Sequence, residues 1–427
     1  MMKRKAVLNN ALYIILCIVA SVVVGTILMI LVYCLSTDKI RANVLHSVYI
    51  YSAENDFYDW ATGKAGTRLD NFSDALMMNV ASYEGTGNVI KDAMNNAYIS
   101  YPGKSQTAAL LLSAVLGDTD SNVVINYSRY WHGYLVWLKP MMQFATKADI
   151  RMLSMYIQIT LLILVIIELY KKDKYRLVIP FLLAILCINP VSMALCMQLG
   201  HVYYITLIGA LVLLKKKLYD TDKYWHVFLW IGISTAFLDL TTSPLVGLGI
   251  NLVLLLVLKD MTWKKNLVRI VSSSFSWGIG YVGMWGGKWI VGSLLTGENV
   301  LKDAIETVLY RAAGDSMEEA QIDSSSAFDV IMYNVDQVLN TPVVWIAAVA
   351  LLGFVVLIIM GKAKVKVNRD RLVALAIVTV YPIVWYCIFR NHSAIHSWMT
   401  YRNLAITVFS LALMLSYSVS VDGKKRE

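Results

Sequence analysis

Ten apolar runs, separated by gaps of which every second one is strongly basic, constrain this chain more than any other feature of its sequence. The runs lie at about 11–35, 150–169, 176–191, 198–214, 225–240, 244–258, 269–295, 342–361, 372–389 and 401–418. Runs of this length suit a hydrocarbon core ~30 Å thick at ~1.5 Å per helical residue. The pattern predicts an all-α polytopic membrane bundle of about ten transmembrane helices, with lipid as the solvent for most of the chain. Composition supports this, since 58% of the residues are hydrophobic and 16% charged, against about a quarter charged in soluble domains.

The basic clusters give the pattern a direction. Lys3, Arg4 and Lys5 precede the first run; Lys171, Lys172, Lys174 and Arg176 follow the second; Lys215, Lys216, Lys217 and Lys223 follow the fourth. Lys259, Lys264, Lys265 and Arg269 follow the sixth, Lys362, Lys364, Lys366, Arg369 and Arg371 the eighth, and Lys424, Lys425 and Arg426 the tenth. The positive-inside rule places these clusters and both termini in the cytoplasm of a multi-pass cell-membrane protein. The net charge of +9 then reads as topology, with no nucleic-acid partner expected. The first apolar run exceeds the ~7–15 residues of a signal-peptide core and is expected to remain as a helix. Cys17, Cys34, Cys187, Cys196 and Cys387 show no CxxC spacing, so neither a metal cluster nor a disulfide framework is indicated.

The chain reads as one membrane domain, 1–427, with long outward segments at 36–149 and 296–341. Within the first, KSQTAALLLSAVLG (104–117) and RYWHGYLVWLKPMMQF (129–144) are expected to lie as interfacial helices, their aromatic rings at headgroup level. Pro190 and Pro244 interrupt short spans in pairs, a transporter-like feature.

Polar residues collect on the outward side. His46, His132, His201, His392 and His396 fall there, and only His226 falls inward. In RLDNFSDALMMN (68–79), Asp70 and Asp74 stand four apart and share a face if the stretch is helical. Burial and mutual repulsion raise one pKa of such a pair, which suits a general base with an orienting acid. The plainer alternative is that Asp70 or Ser73 caps the following helix. Arg129, Tyr130, Trp131 and His132 sit together ahead of Lys139 and Pro140. A guanidinium fork suits phosphate, and the aromatics suit a lipid tail or sugar face, unless the group is a snorkelling anchor.

Asp239 in FLDLTTSP falls at the edge of a span, where a carboxylate is costly and function is the default reading; capping Thr241, Thr242 and Ser243 is the alternative. Lys288 in GMWGGKWIVG could hold a lipid phosphate or snorkel to the headgroups, and Arg311 in VLYRAAGD could do the same job. RNHSAIHSWMTYR crowds Arg390, His392, His396 and Arg402 into one outward loop. Its histidines at i and i+4 resemble a two-histidine metal face, yet no HExxH glutamate or third ligand is adjacent. Binding of phosphate, sugar hydroxyls or headgroups is the expected role. No cofactor is assigned, with a divalent ion as the alternative.

One long helix, a large outward segment carrying acidic residues and interfacial helices, and then a bundle of spans: this order resembles the C-type glycosyltransferase superfamily. The resemblance implies transfer of a sugar from a polyprenyl-phosphate carrier to a cell-envelope glycan or lipid acceptor on the outer face. It implies an aspartate of the first outward segment as base and basic residues around the carrier phosphate. The family's aspartate often lies closer to the first helix, where this chain has Asp38; Asp70 and Asp74 are matched to it here, with Lys288, Arg129 and Arg390 at the phosphate. The carrier supplies the activation, and the chain has no GxxxxGK[ST] motif and no long inward loop for a nucleotide-sugar domain. Two alternatives stay open. A polysaccharide polymerase would carry its large outward loop later in the chain. A lipid-linked glycan flippase or transporter would have Asp239 and Lys288 line a central cavity open to both sides.

Overall fold

The computed structural model describes residues 2–101, 107–113, 123–172, 174–313, 326–360, 363–365 and 368–421. Helices occupy all ten apolar intervals: Met2–Tyr33, Lys147–Lys171, Val178–Ile188, Met197–Lys215, Trp225–Leu238, Leu245–Leu258, Trp263–Thr296, Pro342–Ile359, the pair Arg369–Thr379 and Tyr381–Ile388, and Ala405–Ser418. The ninth interval is divided at Val380, with Pro382 in the first turn of the second piece, where its missing N–H costs nothing. Five helices are long and apolar enough to cross a membrane: Leu8–Tyr33, Lys147–Lys171, Met197–Lys215, Arg369–Ile388 and Ser397–Ser418. Leu245–Leu258 is buried along its whole length, as an all-round apolar helix must be in a bundle centre.

Other helices turn apolar residues outward. Leu8, Ile15, Val19, Val23 and Ile27 are exposed on the first helix, and Met152, Tyr156, Ile159 and Ile163 on Lys147–Lys171. Contiguous apolar exposure on this scale needs an apolar partner.

The basic gaps meet at one end of the bundle. Lys259 pairs with Asp220 at 3.1 Å, Arg371 pairs with Asp260, and the Trp263 backbone N–H donates to Asp370 Oδ1 at 2.8 Å. The short strands Ala363–Val365 and Val419–Val421 pair antiparallel, and Tyr13 of the first helix stacks on His226 at 4.7 Å. Segments after the fourth, sixth, eighth and tenth apolar runs therefore share an end with the start of the first.

The opposite end carries the segment between the first two long helices. Its helices include Asp38–Glu54, Asn71–Ser82, Val89–Asn95 and Leu135–Met141. A hairpin pairs Phe57–Asp59 with Arg68–Asp70, so that Phe57 faces Asp70 and Asp59 faces Arg68. Alternation along the second strand sends Leu69 into the core and leaves Arg68 and Asp70 on the other face. Two ion pairs dock this segment on helix Lys147–Lys171. Arg151 grips Glu54 at 2.6 and 2.7 Å, and Lys147 pairs with Asp74 where neither side chain meets solvent.

Both stretches expected to lie at the interface bury part of their side chains within the protein. Of 104–117, the described helix Ala108–Ser113 buries Ala108, Leu111 and Leu112 in the core of the segment between the first two long helices; the rest of that stretch lies outside the described residues, apart from Thr107. In 129–144, Trp131, His132, Tyr134 and Lys139 are all buried. Their polar tips are satisfied internally: Trp131 Nε1 donates to Met284 O at 2.7 Å and Lys139 Nζ to Ala81 O at 2.8 Å. An amphipathic side chain with an internal partner has no need of the headgroups. The segment 296–341 carries helices Val300–Ala313 and Ala327–Leu339, while most of its acidic stretch lies outside the described residues.

Candidate functional site

A polar cavity of about 650 Å³ opens at the end of the bundle away from the basic gaps. Elements distant in sequence build it, and helix Asn71–Ser82 adds Phe72, Ser73, Leu76 and Met77. The hairpin gives Arg68 and Asp70, the 127–134 stretch gives Tyr127, Tyr130 and Tyr134, and the start of Met197–Lys215 gives Gln198. Helix Val300–Ala313 contributes Arg311, and the 390–399 segment contributes His392, His396 and Trp398.

Asp70 is the N-cap of helix Asn71–Ser82, accepting from Ser73 N–H at 2.9 Å. The capping alternative is therefore met, and the same carboxylate lines the cavity. Burial pushes Asp70 up to about 6, against the pull of the Ser73 hydrogen bonds. Arg68 is held by Asp59 at 3.0 Å with its guanidinium 5.9 Å from the Trp398 ring centre.

The histidines stand together, with ring centres 4.9 Å apart. His392 Nε2 lies 2.9 Å from the carbonyl of Thr241, which must accept, so the neutral ring carries its proton on Nε2. Burial, then the neighbouring Arg311, hold both rings below the ordinary histidine range, with His396 at about 4. Both are neutral at pH 7. Thr241 sits at φ 71°, a strained conformation for a β-branched residue. Asp239 fixes that turn, accepting from Thr242 N–H at 3.0 Å and Thr242 Oγ1 at 2.6 Å. Asp239 thus caps the turn that carries the Thr241 carbonyl and does not line the cavity.

Beside the polar cavity runs an apolar groove of about 260 Å³ between helices Trp263–Thr296, Val300–Ala313 and Tyr381–Ile388. Tyr281, Trp285, Trp289, Trp385 and Phe389 are its aromatic walls, and Arg129 lies along it. Tyr130, Arg311 and His392 line both spaces. The Arg311 guanidinium stands 5.5 Å from the centre of the Tyr130 ring at this junction.

Of the residues singled out from the sequence, Asp70, Tyr130, Arg311, His392 and His396 come together at the cavity, and Arg129 joins them on the groove. The others are held elsewhere. Asp74 pairs with Lys147 and accepts from the backbone N–H groups of Met197 and Gln198 at 3.0 and 2.8 Å. Trp131 is core, and His132, at φ 52°, bridges Tyr134 Oη and Tyr127 O at 2.8 and 2.9 Å. Lys288 Nζ donates to Met94 O at 2.8 Å at the end of helix Val89–Asn95, tying it to Trp263–Thr296. Arg402 donates to the carbonyls of Ile188, Trp398 and Met399. Arg390 opens helix Arg390–Ile395 outside both linings, and Asp38 accepts from Ser36 Oγ.

The expectation that Asp70 and Asp74 share a helix face is corrected, because the helix starts at Asn71 and Asp70 precedes it in a non-helical conformation. Arg68, Gln198 and Trp398 were not singled out. Arg68 sits two residues before Asp70 in a strand, a parity signal visible only once the strand is recognised. No group of three His, Cys, Asp or Glu is placed to hold a metal among the described residues.

Compared with protein-family models, curated proteins and solved structures, the chain matches none.

Proposed function

We propose that the protein is a ten-span, cell-membrane glycosyltransferase that moves a sugar from a polyprenyl-phosphate carrier to a glycan or lipid acceptor on the outer face, with both termini cytoplasmic. One observation carries the reading: a polar cavity holding a carboxylate continues into an aromatic, apolar groove, with Arg311 where the two meet. A ligand suited to both spaces has a hydroxylated head, a hydrocarbon tail and an anion between them. The convergence of the basic gaps at the far end supports the ten-span topology.

In this mechanism Asp70 accepts the proton of an acceptor hydroxyl as its oxygen forms a bond to the anomeric carbon. The bond from that carbon to the phosphate oxygen breaks, and the departing phosphate takes the electron pair. Arg311 stabilises the phosphate, a role suited to a planar fork of fixed charge. His396 and Arg68 are placed to hold sugar hydroxyls. Asp74 and Lys147 position the strand and helix that present Asp70. Asp239 and Lys288 lie outside both adjoining spaces, which favours the enzyme over a transporter with those residues at a central cavity.

The test is turnover of a radiolabelled polyprenyl-phosphate sugar by protein reconstituted in vesicles with a lipid or glycan acceptor. Release of carrier phosphate should accompany transfer, and Asp70→Asn should abolish both. Full activity in Asp70→Asn removes the mechanism.

A further inference from the structure

Helix Val300–Ala313, in the segment 296–341, divides into three faces at ~100° per residue. One face belongs to the protein: Val300 and Ala304 are buried, and Ala304, Thr307 and Arg311 line the apolar groove. The second is apolar and exposed, carrying Leu301, Ile305, Val308 and Leu309 in the i, i+4, i+7, i+8 pattern of a single stripe. The third carries Lys302 and Glu306, both largely exposed and 3.9 Å apart, with Asp303 next to them reaching Arg129 at 3.4 Å.

Charged and apolar side chains separate around this helix and not along it, since Leu301 adjoins Lys302 in sequence and Ile305 adjoins Glu306. A helix standing along the membrane normal would sort them by depth. Sorting around the axis belongs to a helix parallel to the membrane plane, with acyl chains on one side and water on the other. The stripe also continues the apolar exterior of the bundle. Val300–Ala313 packs on helix Trp263–Thr296, which occupies the seventh apolar interval and exposes Phe275, Val282, Ile290 and Leu294. Val282 and Val308 are exposed on their two helices and both line the groove, so the groove opens on the surface that the stripe extends. Lys302 and Arg311 balance Asp303 and Glu306 in charge, which leaves the burial of apolar area to hold the helix in place without help from anionic headgroups.

We infer that helix Val300–Ala313 lies in the plane of the outer leaflet, with Leu301, Ile305 and Leu309 among the acyl chains and Lys302 and Glu306 in water. This seating rests on the membrane topology proposed above and not on the glycosyl-transfer chemistry. The helix is then the lipid-side lip of the groove. A hydrocarbon tail passes between Val282 and Val308 directly from the leaflet, and Arg311, on the protein face of the same helix, is held at the depth of the lipid phosphates.

The experiment attaches one nitroxide at a time through Leu301→Cys, Ile305→Cys, Leu309→Cys, Lys302→Cys or Glu306→Cys. The host is the full-length chain with Cys17→Ala, Cys34→Ala and Cys387→Ala, in phosphatidylcholine vesicles; Cys187 and Cys196 are buried and stay. Power-saturation EPR compares collisions with oxygen, which concentrates among acyl chains, and with a nickel chelate, which stays in water. The oxygen-to-nickel ratio should be about fivefold higher at the three apolar positions than at Lys302 and Glu306, with or without added phosphatidylglycerol. Equal ratios, or a difference that appears only with phosphatidylglycerol, would overturn the proposal. Rare collisions with both reagents at Leu301, Ile305 and Leu309 would mean that a protein surface covers the stripe, and would overturn it as well. In intact cells a membrane-impermeant maleimide should react with Lys302→Cys and Glu306→Cys, whereas reaction only after lysis would put the helix at the cytoplasmic face and end the outer-leaflet seating. None of these readouts needs turnover, so the expected pattern in a protein without transferase activity would sink the enzyme reading and leave the seating in place.

Discussion

Lys147 and Asp74 form an ion pair sealed from solvent, joining the first turn of a long apolar helix to the helix that follows Asp70. Two backbone N–H groups and the Cys196 thiol also donate to the carboxylate. Removing one partner leaves an unpaired buried charge, at a cost of about 3–5 kcal/mol. Asp74→Leu and Lys147→Met should each lower the thermal unfolding midpoint in detergent sharply. The double variant should unfold closer to wild type than either single one.

Asp70 should behave in the opposite way, with Asp70→Asn close to wild type in melting temperature and lower in turnover by about 10²–10⁴-fold. A base held near 6 is ionised only above that pH. The pH profile of kcat/KM should therefore rise through about 6, and a profile flat from 5 to 8 would exclude Asp70 as the titrating base. The folded carboxyl binds its proton more tightly than the unfolded one, so this group makes stability fall as pH rises from about 4 to 6.

Arg311 joins the polar and apolar spaces, and Arg311→Ala should lower kcat/KM by about 10²–10³-fold. Arg311→Lys keeps the charge but loses the fork, and should recover only part of the activity. Steady-state kinetics on both variants at one salt concentration checks this.

Val308 lies on the groove lining, so Val308→Trp should narrow the groove and leave the polar cavity unchanged. KM for a long-chain polyprenyl donor should rise at least tenfold, and KM for a short-chain donor should stay nearly constant. Equal effects on the two donors would place the tail elsewhere.

Thr241 presents its carbonyl to His392 from a left-handed conformation. Glycine adopts that conformation without strain, so Thr241→Gly should stabilise the protein by about 1 kcal/mol and leave activity intact. The melting temperature and turnover of this single variant decide the matter.

Apolar runs made the helical intervals legible, because length and hydropathy are properties of a sequence alone. The collection of His392, His396, Arg311 and Asp70 on one side of the bundle was legible too, since all four follow from which gap each residue occupies. Which side chain faces the cavity was not legible. Asp70 and Asp74 look alike in RLDNFSDA, yet one precedes the helix and the other meets a lysine 73 residues away. Trp131, His132 and Lys288 read as phosphate, lipid-tail or sugar contacts or as headgroup anchors, because aromatic and basic residues favour the membrane interface. Each instead finds an internal carbonyl or hydroxyl, and such partners are set by packing between elements. The burial of Ala108, Leu111 and Leu112 has the same origin: an apolar stretch too short to span can be covered by neighbouring helices.

Arg68, Leu69 and Asp70 form a strand only three residues long, in which the middle side chain enters the core and its neighbours face the other way. The identity of the cavity therefore depends on whether a position is odd or even. One residue inserted between Ala61 and Lys64 would change composition hardly at all, yet a shift in pairing would turn Leu69 toward the cavity and drive Asp70 and Arg68 into the core. Change in the number of loop residues is then the variation this hairpin tolerates least, and steps of two are the ones that preserve its chemistry.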